Sequence, residues 1–361
     1  MTIATSPLHE MTLCTPTRYW MDSCSMEELR YALPGGISGA TSNPVIVLNV
    51  LKKEMHLWRA RILQIICEQP TWTETQVSWQ VYQEIARSGA QLLLPLFAAE
   101  NQQHGRLSIQ VDPALYRSAA AMLAQVESFA TLAPNFQIKI PATQAGIELI
   151  EEATYRGINL TVTVAFTVAQ AIAAAESFEQ GLKRRAAAGK EITHLRPMVA
   201  MMVGRTDDWL KVAVKQAGSD INPDYLEWGG VACFKKAYEL YQQRGYRARL
   251  LTAAYRNFLH WTEFVGGEVT LTIPYEWQLK FNASAIKPTP RMHIPVEPAI
   301  LDELYSKLPE FRRAYDEDGL SVAEFDHYGA TVRTLRSFIE AWHLFVAQMR
   351  DLMLPNPDLP A

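Results

Sequence analysis

From residue 107 onward the chain alternates short apolar runs with longer stretches in which apolar side chains recur every three or four positions. The short runs are LSIQVD (107–112), FQIKIPA (136–142), LTVTVAF (160–166), PMVAMMV (197–203), RLLTAAY (249–255) and VTLTIPY (269–275). The periodicity predicts six strands separated by helices, and a repeated strand–helix order implies parallel strands joined by right-handed crossovers. Upstream, RYWMDS (18–23) and GISGATSNP (36–44) read as two more strands. A helical stretch VLNVLKKEMHLWRARILQIICEQ and a helix QVSWQVYQEIARSGAQLLLPLFAAE follow them. Eight parallel strands with intervening helices predict an α/β fold, the closed (β/α)8 barrel; a doubly wound open sheet would carry a glycine-rich phosphate turn after its first strand, and neither G-x-G-x-x-G nor G-x-x-x-x-G-K-[ST] occurs.

After residue 280 the pattern changes to a Pro- and charge-rich stretch and then the helical TVRTLRSFIEAWHLFVAQMRDLML. The expected organisation is an N-terminal tail over 1–17, a barrel over 18–280, and a helical extension over 281–361 packed on it. At 361 residues and 48% hydrophobic, the chain has ample material for such a core, which excludes disorder and fibrous repeats. Thirty-four Lys plus Arg against 38 Asp plus Glu leave a formal charge of −4, so nucleic acid and anionic membrane are not expected partners. The four cysteines (Cys14, Cys24, Cys67, Cys233) form no C-x-x-C pair, and the first twenty residues lack a basic n-region and an apolar h-region. No run of about 18 apolar residues occurs, and a cytoplasmic location is expected. Nothing in the sequence sets an oligomeric state.

Inside a barrel, alternate side chains of each strand point inward, and active sites form where the C-terminal strand ends meet. In FQIKIP, Phe136, Ile138 and Ile140 take the outward face, leaving Gln137 and Lys139 inward. A lysine between isoleucines loses hydration, which lowers its pKa toward the range a nucleophile needs at neutral pH. Taken alone it is more often what a core ion pair or a snorkelling side chain presents. Its predicted neighbours alter the balance: Asp22 shares an inward face with Trp20, Ser108 with Gln110 and Asp112, Thr161 with Thr163, and Asn43 closes the strand in TSNP. A nucleophile, a carboxylate and neutral donors are the set that amine covalent catalysis requires. Arg205 and Arg256 follow late strands, where barrels hold phosphate, although each singly reads equally as a loop-to-helix salt bridge.

At these residues the sequence resembles the transaldolase family, class I Schiff-base enzymes. SGATSNP (38–44) resembles the family's G-[AV]-T-[ST]-N-P, and NFQIKIPATQAGIELIEEATYRGIN (135–159) its lysine strand and following helix. FTVAQAIAAAESFEQGLKRRAAAG (166–189) and VGRTDDW (203–209) resemble its longer subgroup. The resemblance implies a (β/α)8 barrel that transfers a dihydroxyacetone unit from a ketose phosphate to an aldose phosphate, in carbohydrate metabolism of the pentose phosphate type, without metal or organic cofactor. By the same resemblance Lys139 is the Schiff-base lysine and Asp22 the acid/base at the C4 hydroxyl. Asn43 binds substrate, Thr163 orients a water with position 110, Thr161 lines the site, and Arg205 with Arg256 binds phosphate. The eight histidines are scattered without a metal-ligand pair, in keeping with that.

The chain departs from the family at Gln110 (glutamate), Thr161 (asparagine) and Ala200 (serine or its equivalent). Glutamine at position 110 is shared with the fructose-6-phosphate aldolases, which carry a tyrosine where this chain has Met202. Two further expectations therefore stand beside the transaldolase: a stand-alone aldolase of that kind, in specialised metabolism, and a barrel that binds sugar phosphate without turnover.

Overall fold

The eight apolar runs form eight parallel strands in the computed structural model, which describes residues 6–358. They are β1 (Arg18–Met21), β2 (Gly39–Thr41), β3 (Arg106–Gln110), β4 (Phe136–Pro141), β5 (Leu160–Ala165), β6 (Met198–Met201), β7 (Arg249–Thr252) and β8 (Thr270–Ile273). Each pairs with its sequence neighbours, and β8 pairs with β1, with Trp20 opposite Thr272. Closure leaves no edge strand, and the fold is the (β/α)8 barrel expected from the hydrophobic pattern. Ile109, Ile138, Ile140, Val162 and Val199, which alternate with the inward side chains, are fully buried.

Several helices start directly on the C-terminal ends of strands because the chain supplies a cap there. Asn43 accepts from Ile46 N (2.9 Å) at the head of the helix Pro44–Lys53, and Thr143 caps Gln144–Arg156. Thr167 and Gln170 form a capping box for Val168–Ala187. Each cap satisfies backbone N–H groups that the first turn leaves free. The stretch read from periodicity as one helix over 47–69 is two, Pro44–Lys53 and Met55–Glu68. They part at Glu54, whose buried carboxylate accepts from Ser25 Oγ at 2.6 Å. Its other oxygen accepts from Trp58 Nε1 at 3.4 Å, and apolar spacing does not register a polar residue of this kind. Within the stretch read as a tail, Ser6 caps a helix Pro7–Cys14, whose Leu8 and Met11 are fully buried.

Beyond the barrel lie the helices Pro298–Lys307, Pro309–Tyr315 and Gly329–Met353. The last runs 25 residues against Pro44–Lys53 and Glu74–Ala99. Its Trp342 stacks on Trp79 at 4.0 Å between ring centroids and meets Tyr82 edge-on at 5.9 Å. The helix can start where it does because Gly329 faces the Trp209 ring, where a Cβ would lie 2.1 Å from Cζ2.

This stack fixes the extension to the barrel wall, and Trp342→Ala is expected to lower stability by about 3–5 kcal/mol, read as a shifted urea midpoint. A loss under about 1 kcal/mol would mean that the docking energy resides elsewhere.

Candidate active site

The register of the ladders brings the predicted residues together at the C-terminal mouth of the barrel. Gln110 pairs with Lys139 between β3 and β4, Lys139 with Thr161 between β4 and β5, and Pro141 with Thr163. One row of side chains therefore holds an amide, an amine and a hydroxyl. Lys139 is 2% exposed, and its Nζ donates to the carbonyl of Ser42 at 3.3 Å. Burial pulls its pKa down to about 8, the negative charge of Asp22 opposes this, and Arg205 adds to it. Asp22 stands just past the end of β1, and its Oδ1 accepts from Thr41 Oγ1 at 2.6 Å. Burial raises the Asp22 pKa against the pull of Lys139 and Thr41. The two groups thus sit on opposite sides of their ordinary values, each held back by the other's charge.

Neutral groups surround the pair. Thr41 Oγ1 also meets Thr272 Oγ1 (2.7 Å), and Ser108 Oγ meets Thr161 Oγ1 (2.9 Å) across the barrel interior. Asn43 spends its side-chain oxygen on the helix cap, which leaves its amide NH2 for another partner. Both amide atoms of Gln110 and the hydroxyl of Thr163 are buried without a hydrogen-bond partner. Buried polar atoms left unpaired are costly in a core and mark a place where chemistry selects them.

Thr163 is aimed by a distortion. The β5–β6 register shifts between Val162 and Ala165, and Val164 adopts φ +55°, a left-handed conformation that a β-branched residue rarely takes. Such strain costs on the order of 1–3 kcal/mol. It is held in place in part by Gln170, whose Nε2 donates to the Val164 carbonyl at 3.1 Å.

The two arginines part company. Arg205 is half-buried, over the Phe338 ring at 5.4 Å, and donates to Thr334 Oγ1 at 3.3 Å. Burial and Arg256 lower its pKa. Arg256 is exposed, with Nε and Nη2 on the carboxylate of Asp208 (2.7–3.2 Å) and Nη1 on the carbonyl of Tyr255 (2.9 Å). All three of its nitrogens are engaged. Both arginines line a cavity of about 420 Å³ with Arg333 and Arg336 of the C-terminal helix. Sequence reasoning missed Arg333, because nothing in the extension's own pattern says which side of the barrel it crosses. It also missed Thr252 and Tyr255, whose hydroxyls meet at 2.7 Å, and Thr41, whose role appears only once β1 and β2 are paired. Asp112, read as inward, instead caps a turn by accepting from Ala114 N (2.8 Å).

Among the described residues no group of three or more His, Cys, Asp or Glu side chains is placed to hold a metal, and no helix is long and apolar enough to cross a membrane. Residues 19–320 match the family described as Transaldolase/Fructose-6-phosphate aldolase. A transaldolase of Thiobacillus denitrificans is 27% identical over 322 residues, 81% of this chain and 87% of that protein. Transaldolase 1 of Streptomyces avermitilis is 32% identical over 159 residues, 44% of this chain and 42% of that protein. A transaldolase of Mycobacterium ulcerans is 27% identical over 232 residues, 62% of this chain and 61% of its own.

The charges around Lys139 set the pH at which its amine becomes reactive. Carbamylation of Lys139 by cyanate, followed by peptide mapping, should rise with pH about a midpoint near 8, well below that of exposed lysines. Asp22→Asn removes the charge that holds the proton on, so the midpoint should fall. A midpoint unchanged or raised in the variant would mean that the two groups do not share a field.

Proposed function

The chain belongs to the transaldolase/fructose-6-phosphate aldolase family of enzymes, and on that premise we propose that Lys139 forms a Schiff base with a ketose phosphate and passes a dihydroxyacetone unit to an aldehyde. The observation that carries this is the buried amine of Lys139 with its pKa brought to about 8 beside the carboxylate of Asp22. The neutral amine adds to the C2 carbonyl, and loss of water gives an iminium that draws electrons from the C3–C4 bond. The Asp22 carboxylate takes the C4 hydroxyl proton as that bond breaks. An aldehyde leaves, and the three-carbon enamine stays on Lys139. A second aldehyde adds at C3, Asp22 returns the proton to the new hydroxyl, and water releases the product ketose.

The remaining residues have assignable parts. The amide NH2 of Asn43 and the hydroxyl of Thr161 bind substrate hydroxyls, and Thr163 with Gln110 holds the water that enters and leaves at C2. Arg205 meets the substrate phosphate, since its guanidinium is not committed to a carboxylate. Arg256 shares that anion only by loosening from Asp208, and Arg333 borders the same cavity. No metal or organic cofactor is invoked in these steps.

Gln110 favours a second reading, a simple aldolase in specialised metabolism. Glutamine holds a water but cannot exchange a proton with it. Positioned acid/base groups contribute about 10²–10⁴-fold, so here the proton transfers at C2 fall on Asp22 and water. The enamine then has time to be protonated and released as dihydroxyacetone.

Borohydride with fructose 6-phosphate is expected to leave a reduced adduct on Lys139 and on no other lysine, located by peptide mass spectrometry. Absence of an adduct with any ketose, or one at another residue, would remove the Schiff-base mechanism. Wild type given a ketose donor alone should release free dihydroxyacetone, and Gln110→Glu should shift the ratio toward transfer when erythrose 4-phosphate is added. Strict acceptor dependence in both proteins would show that residue 110 does not set the partition.

A further inference from the structure

The inward rows that carry the candidate active site continue to the other end of the barrel. Trp20 precedes Asp22 by two positions, Gln137 precedes Lys139 by two, and Arg106 lies four before Gln110. These side chains line a cavity of about 770 Å³ around the N-terminal ends of the strands, together with Arg196 and Arg249. The Ser108–Thr161 hydroxyl contact lies in the barrel interior between the Arg106 and Gln110 levels. Barrel catalysis belongs to the C-terminal mouth, so this second cavity is not part of the site described above.

Its polar groups are out of balance. Arg106 is 3% exposed, and its Nη2 donates to the carbonyls of Gln102 (3.1 Å) and His194 (3.3 Å). Arg249 donates to the carbonyls of Pro16 (3.1 Å) and Val269 (3.0 Å), and Arg196 to that of Leu195 (2.7 Å). None of the three forms an ion pair among the described residues. Arg247, on the same rim, is by contrast tied to Glu179 at 2.9 Å. The Nε atoms of Arg106 and Arg249 are buried without a partner, and so is Oε1 of the fully buried Gln137. The positive charge is felt nearby: the His104 pKa is lowered by burial first and then by Arg249, with Glu100 opposing and Arg18 and Arg196 adding to the lowering. Of the three, Arg106 is buried and Arg196 and Arg249 are half-buried. Glu268 acts on Arg249 from a distance, and a guanidinium buried with no carboxylate in contact is costly.

We propose that this cavity is a binding site for a small phosphorylated hydroxy compound, its phosphate on Arg106, Arg196 and Arg249 and one of its hydroxyls donating to Gln137 Oε1. Phosphate is favoured over carboxylate by the number of its acceptor oxygens. Glu100 and Glu268 on the same lining leave these three arginines only one positive charge in excess, but the guanidinium groups come from three separate stretches of chain and offer more donors than two oxygens can meet. A phosphate brings close to two negative charges and three acceptor oxygens, where a carboxylate brings one charge and two oxygens. The hydroxyl follows from the amide oxygen, which only accepts.

The test is calorimetric titration with glycerol 3-phosphate, which carries a phosphate and two hydroxyls but no carbonyl to react with an amine. The protein is the full chain bearing Arg205→Ala and Arg256→Ala, which weakens phosphate binding at the opposite mouth, where Arg333 and Arg336 remain; dependence on Arg196 then tells the two ends apart. One saturable site per chain is expected. Adding Arg196→Ala should weaken it roughly tenfold or more, the loss of one charge-assisted contact. Glycerate and glycerol should each bind at least tenfold more weakly than glycerol 3-phosphate. No binding in the double variant, binding indifferent to Arg196→Ala, or glycerate binding as tightly, would each overturn the proposal. Should circular dichroism show that Arg196→Ala unfolds the chain, hydrogen exchange on the wild type decides. Protection by glycerol 3-phosphate across 191–198 supports the site, and protection confined to the segment around residue 205 refutes it.

Discussion

The arrangement depends on how badly a closed barrel solvates an ammonium group. Eight strands paired edge to edge shut water out of the interior, and an amine carried inward there loses most of its hydration. One carboxylate, Asp22, offsets part of that loss, and the balance between them leaves Lys139 near pH 8 rather than its ordinary 10.5. A usable fraction of free amine near neutral pH is therefore a property of closure. Open the β8–β1 seam and water would restore the proton. The same closure explains why neutral hydroxyls, those of Thr41, Thr161, Ser108 and Thr272, fill the remaining inward positions. They pair with one another in a space where another charge would need a counter-ion.

The strands were legible because a parallel strand buried on both faces writes its character into every residue. In FQIKIP the outward isoleucines and the inward lysine and glutamine announce themselves by contrast. The same alternation correctly placed Gln110 and Thr161 beside Lys139. What period-two reasoning does not contain is any departure from period two. The bulge at Val164 depends on a backbone conformation that its side chain disfavours, so nothing in LTVTVAF advertises it. The two helices that meet at Glu54, where Ser25 and Trp58 bond its carboxylate, are again invisible to apolar spacing. Resemblance supplied roles for Lys139 and Asp22, but not the contact that ties Arg256 to Asp208, because Asp208 lies 48 residues away in the chain.

Charge is handled differently at the two ends of the barrel. At the C-terminal mouth the side chain of Asp22 acts on Lys139, and Asp208 holds Arg256. At the N-terminal end Arg106 and Arg249 lean on backbone carbonyls instead. Partial dipoles offset a full charge only weakly by comparison with a carboxylate. Both ends of the barrel thus gather arginines, and the apolar and hydroxyl-lined interior separates one set from the other.

The helix Gly329–Met353 closes the arginine rim with Arg333 and Arg336. On a ribosome all eight strands emerge before it does. The strands that enclose Lys139 are thus complete in the chain before the residues that finish the arginine rim. The barrel and the complete mouth are therefore written in separate parts of the chain, divided by more than fifty residues between Ile273 and Gly329.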